Sequence, residues 1–119
     1  MLNPPPQEIL LQLPRLYETE DKSATDKMIH QHFFIGNCDW FVAEFDGKDV
    51  FFGFVNLGDP EMAEWGYFTL SELRSAMVTT DIIDAETEAL MMQVPVFVEW
   101  DEYWQAKPFG EINWRRGIS

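Results

Sequence analysis

The sequence predicts an α+β fold, in which an antiparallel, aromatic-rich sheet of about four to five strands carries two or three short helices packed on it. Three observations lead there. Runs of β-forming residues are separated by the turn pairs Gly36-Asn37 and Asp46-Gly47. Aromatic residues make up 15% of the chain, with ten Phe and five Trp, which is ample apolar surface to offset the ordering entropy of folding. The helical signals are few, short and bounded by prolines or by a capping sequence.

Pro4, Pro5 and Pro6 form a stiff leader, and residues 7–13 then place Ile9, Leu10 and Leu13 on one helical face until Pro14 blocks further helix. Residues 15–27 turn polar, with Glu18, Glu20, Asp21 and Asp26 among Lys22 and Lys27, and read as a surface loop. A strand over 28–35 stops at Gly36-Asn37, a second runs over 39–45 into Asp46-Gly47, and a third follows over 49–57. Asp-Gly between apolar runs accepts the positive φ of a type I′ turn and is the strongest hairpin signal in the chain. In Phe51-Phe52-Gly53-Phe54-Val55 apolar side chains point both ways, which predicts a central strand covered on both faces. Gly53 within it marks a bulge or a site where a ring packs on the backbone. Gly58-Asp59-Pro60 turns the chain into a strand over 64–68, and Thr69-Leu70-Ser71-Glu72 has the capping-box form that opens a helix over 70–77. Residues 84–93 read as a further helix with Leu90 and Met91 buried, ended by Pro95, and Val96-Phe97-Val98 as a closing strand. The tail over 104–119 mixes aromatic and basic residues without a clear period and is expected to wrap the body.

At 119 residues the chain fits one domain, 1–119. Its formal charge of −13, from 21 acidic and 8 basic residues, argues against nucleic acid or an anionic membrane as the direct ligand, because phosphate recognition needs Lys and Arg. The expected direct partner is basic, and simple solubility is the competing explanation of the charge. Cys38 stands alone, so no internal disulfide forms and a reducing cytoplasm is the expected compartment. The proline leader lacks the form of a signal peptide, and no stretch approaches the ~20 apolar residues of a membrane span.

Several runs resemble a family of short acidic proteins of plasmids, conjugative elements and phages described only as a domain of unknown function. They are Leu13-Pro14 with Leu16-Tyr17 and Thr19-Glu20, Trp40-Phe41-Val42-Ala43-Glu44, Phe51-Phe52-Gly53-Phe54-Val55, and the run from Glu64-Trp65-Gly66-Tyr67-Phe68 through Thr69-Leu70-Ser71-Glu72-Leu73. The likeness recurs in Val98-Glu99-Trp100-Asp101-Glu102-Tyr103-Trp104 and Lys107-Pro108-Phe109, where the family has an Arg in place of Trp100, so no role of that Arg carries over. The resemblance implies no activity. It implies a context, a mobile element in a bacterial host cell, where small acidic proteins often blunt host defences.

Candidate chemistry is sparse. His30 and His32 sit two apart on an expected strand and would face the same way, with Glu44 from a neighbouring strand as a third zinc ligand. Two surface histidines are the preferred reading, because no further Cys or His cluster exists. Glu99, Asp101 and Glu102 beside Glu111 suggest a carboxylate pair of the glycosidase type, but in so acidic a chain neighbouring acids are expected by chance. Cys38 lies near His30 and His32 in sequence and would serve as a nucleophile if activated, although a small buried residue is the simpler role. Gly47, Gly53, Gly58 and Gly66 lack the spacing of a phosphate-binding loop. Trp40, Trp65, Trp100, Trp104 and Trp114 are read as core, with one or two in the tail as exposed anchors. No catalytic residue, metal ligand or cofactor is assigned.

The expected function is therefore non-enzymatic: binding and inhibition of a basic, nucleic-acid-binding host defence complex, of the anti-CRISPR or anti-restriction type, by an acidic surface that stands in for phosphates. The residues expected to carry it are Glu18, Glu20, Asp21, Glu99, Asp101 and Glu102. The alternative is an accessory module of plasmid or phage maintenance that binds through apolar surface. A small hydrolase using carboxylates or a metal, with Glu44→Gln as its test, is the third.

Overall fold

The computed structural model describes residues 1–115. Pro6 leads into α1 (Gln7–Leu10), a single turn with no side-chain cap, which continues as irregular turns to Leu13. The helix expected over 7–13 is a single α-turn that tightens into three-residue turns at Gln12 and Leu13, yet Leu10 and Leu13 are both buried. After a loop with a 3-10 turn at Ala24–Asp26 come β1 (Met28–Ile29), β2 (Gln31–Ile35), β3 (Cys38–Phe45), β4 (Val50–Leu57) and β5 (Glu64–Thr69). Then follow α2 (Leu70–Ser75), β6 (Met77–Ile83), β7 (Leu90–Phe97), β8 (Glu99–Trp100) and β9 (Lys107–Pro108).

The central sheet is antiparallel and five-stranded, in the order β5-β4-β3-β2-β8. Gly36, at φ +53, occupies the first position of a two-residue turn between β2 and β3, a conformation that glycine adopts without strain. The Asp46-Gly47 turn is longer than the expected two-residue form. Asp46 Oδ1 accepts the backbone N–H groups of Lys48, Asp49 and Val50, at 2.7 to 3.0 Å, so a side chain closes the loop and β4 begins only at Val50. The strand expected over 28–35 breaks at His30, whose N–H still reaches the Val42 carbonyl, and β1 pairs instead with β9 of the tail.

Both faces of the sheet are covered, as the aromatic run in β4 predicts. On one face Phe33, Val42, Phe45, Phe51, Phe68 and Val98 pack with Leu10, Leu13 and Leu73, so both helices close this side. On the other, Ile29, Phe41, Ala43, Phe54 and Phe109 are buried, with Trp65, Trp104 and Trp114 packed against them. The tail up to Arg115 thus wraps the second face, and residues 116–119 of it lie outside the described residues. Half of the capping box forms: the Glu72 N–H donates to Thr69 Oγ1 at 3.1 Å, and the Glu72 carboxylate accepts from the Thr69 hydroxyl at 3.0 Å. The helix it opens stops at Ser75, two residues short of the expected end.

The helix expected over 84–93 does not exist. Residues 77–97 form a β-hairpin instead, with β6 and β7 paired only with each other in a two-stranded sheet. Val78, Thr79, Thr80, Ile82 and Ile83 are β-branched and disfavour helix, while Asp84 Oδ1 accepts the Glu86 and Thr87 N–H groups and makes the tip a turn. Pro95 sits inside β7, which is permissible in an edge strand. Leu90 and Met91, expected to be buried, are 57% and 66% exposed, and Val96-Phe97 end β7 rather than forming a separate strand. The helical share of the fold is accordingly small, one turn in α1 and six residues in α2.

Candidate functional site

A β-bulge decides where Glu44 points. Cys38, Trp40 and Val42 of β3 face the helix-covered side, and strict alternation would send Glu44 there too. The pairing with β4 shifts between Val42 and Glu44, so Glu44 lies opposite Phe52 on the second face. Gly53 makes the shift possible, since a Cβ there would stand 1.9 Å from the Phe41 carbonyl oxygen. Of the two expectations for Gly53 the bulge is the one seen, and what lies against Gly53 is the Phe41 carbonyl rather than a ring.

Glu44, 3% exposed, holds the acidic loop in place. Its carboxylate accepts the Tyr17 N–H at 2.8 Å, the Thr19 N–H at 3.1 Å and the Thr19 hydroxyl. Lys27 Nζ donates to the Thr19 carbonyl and to its hydroxyl oxygen, which ties the far end of the loop to the same point. Tyr17 adopts φ +73, a left-handed conformation uncommon for a side chain of that size, and its hydrogen bond to Tyr67 raises the Tyr67 hydroxyl above the ordinary tyrosine value. Glu18, Glu20 and Asp21 project from this tethered loop and are exposed.

The second acidic trio is divided. Glu99 on β8 and Glu102 in the turn after it are exposed, and Glu102 Oε1 accepts from the Asn3 side chain at 3.1 Å. Asp101 turns inward: its Oδ2 lies 3.0 Å from His32 Nδ1, and Asp39 Oδ1 lies 2.7 Å from His32 Nε2. The imidazole is 4% exposed, stacks on Phe41 at 4.8 Å, and satisfies both acids when both ring nitrogens donate. Asp101 therefore ties the β8 segment to β3 through His32 and is not a free surface charge.

The two trios do not merge. The loop trio is anchored at Glu44 and the other runs beside Phe34, which pairs with both Asp39 and Glu99. Asp39 and Glu44 are five residues apart on β3, roughly 17 Å at about 3.3 Å per residue.

Other chemistry is not assembled. His30 lines a cleft with Ile9, Gln12 and Trp104, and burial lowers its pKa below the ordinary histidine value, while His32 and Glu44 are engaged elsewhere. Among the described residues no group of three or more His, Cys, Asp or Glu is placed to hold a metal ion. Burial and the adjacent Asp39 charge raise the Cys38 thiol pKa, which suppresses the thiolate a nucleophile requires. No described helix is long and apolar enough to cross a membrane.

Two features escaped the sequence reading. Asp39 as a buried partner of His32 had no local signal, since the contact depends on strand pairing. The β6–β7 arm did have one, the β-branched run from Val78 to Ile83.

A family model described as a protein of unknown function (DUF2958) matches residues 6–107. No curated protein and no solved structure matches the chain.

Proposed function

Since the chain belongs to the DUF2958 family, we propose that it is a non-enzymatic protein of a plasmid or phage that binds a basic, nucleic-acid-binding host defence complex and occupies the groove kept for phosphates. The observation that carries this reading is uncompensated charge. Against 21 acidic residues there are 8 basic ones. Among the described residues only one Lys or Arg lies within ion-pair distance of a carboxylate, Arg115 at 3.9 Å from Glu61. Three further cations have different company: Arg15 donates to the Leu11 and Leu13 carbonyls, Lys27 to Thr19, and Lys107 lies over the Trp104 ring, while Lys48 lies near Asp46 beyond ion-pair distance. Acid side chains on the loop, on β8 and on the hairpin thus keep their field, which speeds encounter with an oppositely charged surface.

Glu18, Glu20, Asp21, Glu99 and Glu102 are the residues proposed to face the partner. Asp101 supports them by fixing β8 through His32. Charge on separate stretches of a body 56 Å long suits an extended Lys/Arg-lined groove better than a compact pocket. A second reading, an accessory module of plasmid or phage maintenance that binds through apolar surface, is favoured by the exposed apolar side chains of β6 and β7.

Affinity capture from a bacterial host lysate, followed by titration of the captured protein at rising salt, tests the first reading. The expected result is a basic nucleic-acid-binding protein whose affinity falls with salt and whose nucleic acid competes with this chain. Affinity that does not change between low and high salt, or turnover of a substrate by the isolated chain, would count against it.

A further inference from the structure

The β6–β7 hairpin leaves most of one face of a sheet without a partner in the chain, Val96 at its base packing against the helix-side core. All seven residues of β6 are exposed, and in β7 Val94, Val96 and Phe97 are half-buried while the rest are exposed. The register puts Val78 opposite Val96, Thr80 opposite Val94 and Ile82 opposite Met92, so these six side chains share one face. Five of the six are apolar. A two-stranded hairpin is marginal in water by itself, and a strip of this kind on a protein surface marks a binding site when a suitable occupant exists. Met92, with Met91 bulged beside it, adds an unbranched side chain that moulds to a partner.

Charge selects the occupant. Asp81, Asp84, Glu86 and Glu88 lie on or beside the hairpin, and from Ser75 to Ala106 the chain contains no Lys, Arg or His. A second copy would bring the same acids against one another, which like-charge repulsion opposes. We infer that the arm docks into a partner protein that presents an apolar strip bordered by Lys or Arg, the apolar face of β6–β7 lying on the strip and Asp84, Glu86 and Glu88 at the tip meeting its rim, while Asp81 lies on the opposite face bonded to Gln93. The inference rests on the basic partner proposed above and adds to it the element that enters the partner and the apolar component of recognition.

Two labelled peptides serve as probes in fluorescence anisotropy: one alternating Lys with Leu, and an oligolysine of equal charge. The native chain is compared with a triple variant, Ile82→Ser, Met92→Ser and Val94→Ser, and with Thr79→Ser plus Gln93→Ser on the opposite face. The expected result is Lys–Leu peptide binding weakened roughly tenfold or more in the triple variant, with the opposite-face variant unchanged. Oligolysine binding should be equal in all three proteins, which also shows that the variants are folded. Equal binding of the Lys–Leu peptide by native and triple variant overturns the inference and leaves the basic-partner reading standing. Binding of neither peptide by the native chain overturns both. A dimer in sedimentation that the triple variant loses assigns the face to a second copy and likewise overturns it.

Discussion

Gly53 and Glu44 show how single residues set this surface. A side chain at Gly53 would collide with the backbone of β3, not with a movable group, so the strand pair must shift to admit one. Gly53→Ala is expected to cost about 1–3 kcal/mol, read as a lower urea midpoint, because overpacking against a main-chain carbonyl has no rotamer to relieve it. Glu44 collects two N–H groups and a hydroxyl from Tyr17 and Thr19 in a site closed to water. Its replacement by Ala should therefore destabilise the fold by about 2–3 kcal/mol and expose the loop. Limited trypsinolysis checks this: cleavage after Lys22 should become much faster, and unchanged protection would refute the tethering role. His30 responds to pH. Burial lowers its pKa, so the folded chain takes up the proton less readily than the unfolded chain, whose histidine titrates near 6.5. Stability from this source is present above that value and is lost on acidification through and below it. Urea midpoints measured about one pH unit on either side should differ more for the native chain than for His30→Gln, whose profile should be flatter there.

At the scale of elements, the hairpin arm is separable from the core. Its strands pair with each other, and among the described residues it contributes Val96 only as a partly buried flank of the helix-side core. Replacing residues 79–95 by an Asn-Gly turn is expected to keep the melting transition within roughly 0.5 kcal/mol of the native one. Loss of cooperative unfolding would show instead that the arm belongs to the core. The arm is also where sequence pattern was least informative. Asp84 to Gln93 contains good helix formers, Glu86, Glu88, Ala89, Leu90 and Met91, and local propensity alone favours a helix. Pairing with the β-branched β6 outweighs that preference, a long-range effect that no window over 84–93 contains. By contrast, the β2–β3–β4–β5 meander and the α2 cap were legible, since turn residues, alternation and a capping box act within a few positions. The site divides likewise. Exposure of the loop acids follows from their polar surroundings, whereas the inward turn of Asp101 depends on a histidine 69 positions away. The reorientation of Glu44 depends on a bulge that a strict two-residue period conceals.

For the molecule as a whole, charge decides the balance. With a formal charge of −13 and a single Lys/Arg–carboxylate ion pair among the described residues, repulsion between surface acids outweighs local attraction. Compaction on folding brings those acids closer together, so the native state bears the larger share of the repulsion. Salt shortens the reach of that repulsion from about 30 Å at 0.01 M to about 8 Å at 0.15 M ionic strength, and it has few attractive pairs to weaken in return. The chain should therefore melt at a higher temperature as sodium chloride is raised over this range. A gain on the order of 1 kcal/mol would move the midpoint by roughly 4 °C for a chain of this size. The same salt should weaken any complex with a basic partner, because the repelling charges are also the attracting ones. Calorimetry of the free chain and affinity of the complex, followed together along one salt series, should move in opposite directions. A midpoint that falls with salt would mean that attractive pairs dominate the surface, and the electrostatic basis of partner binding would fall with it.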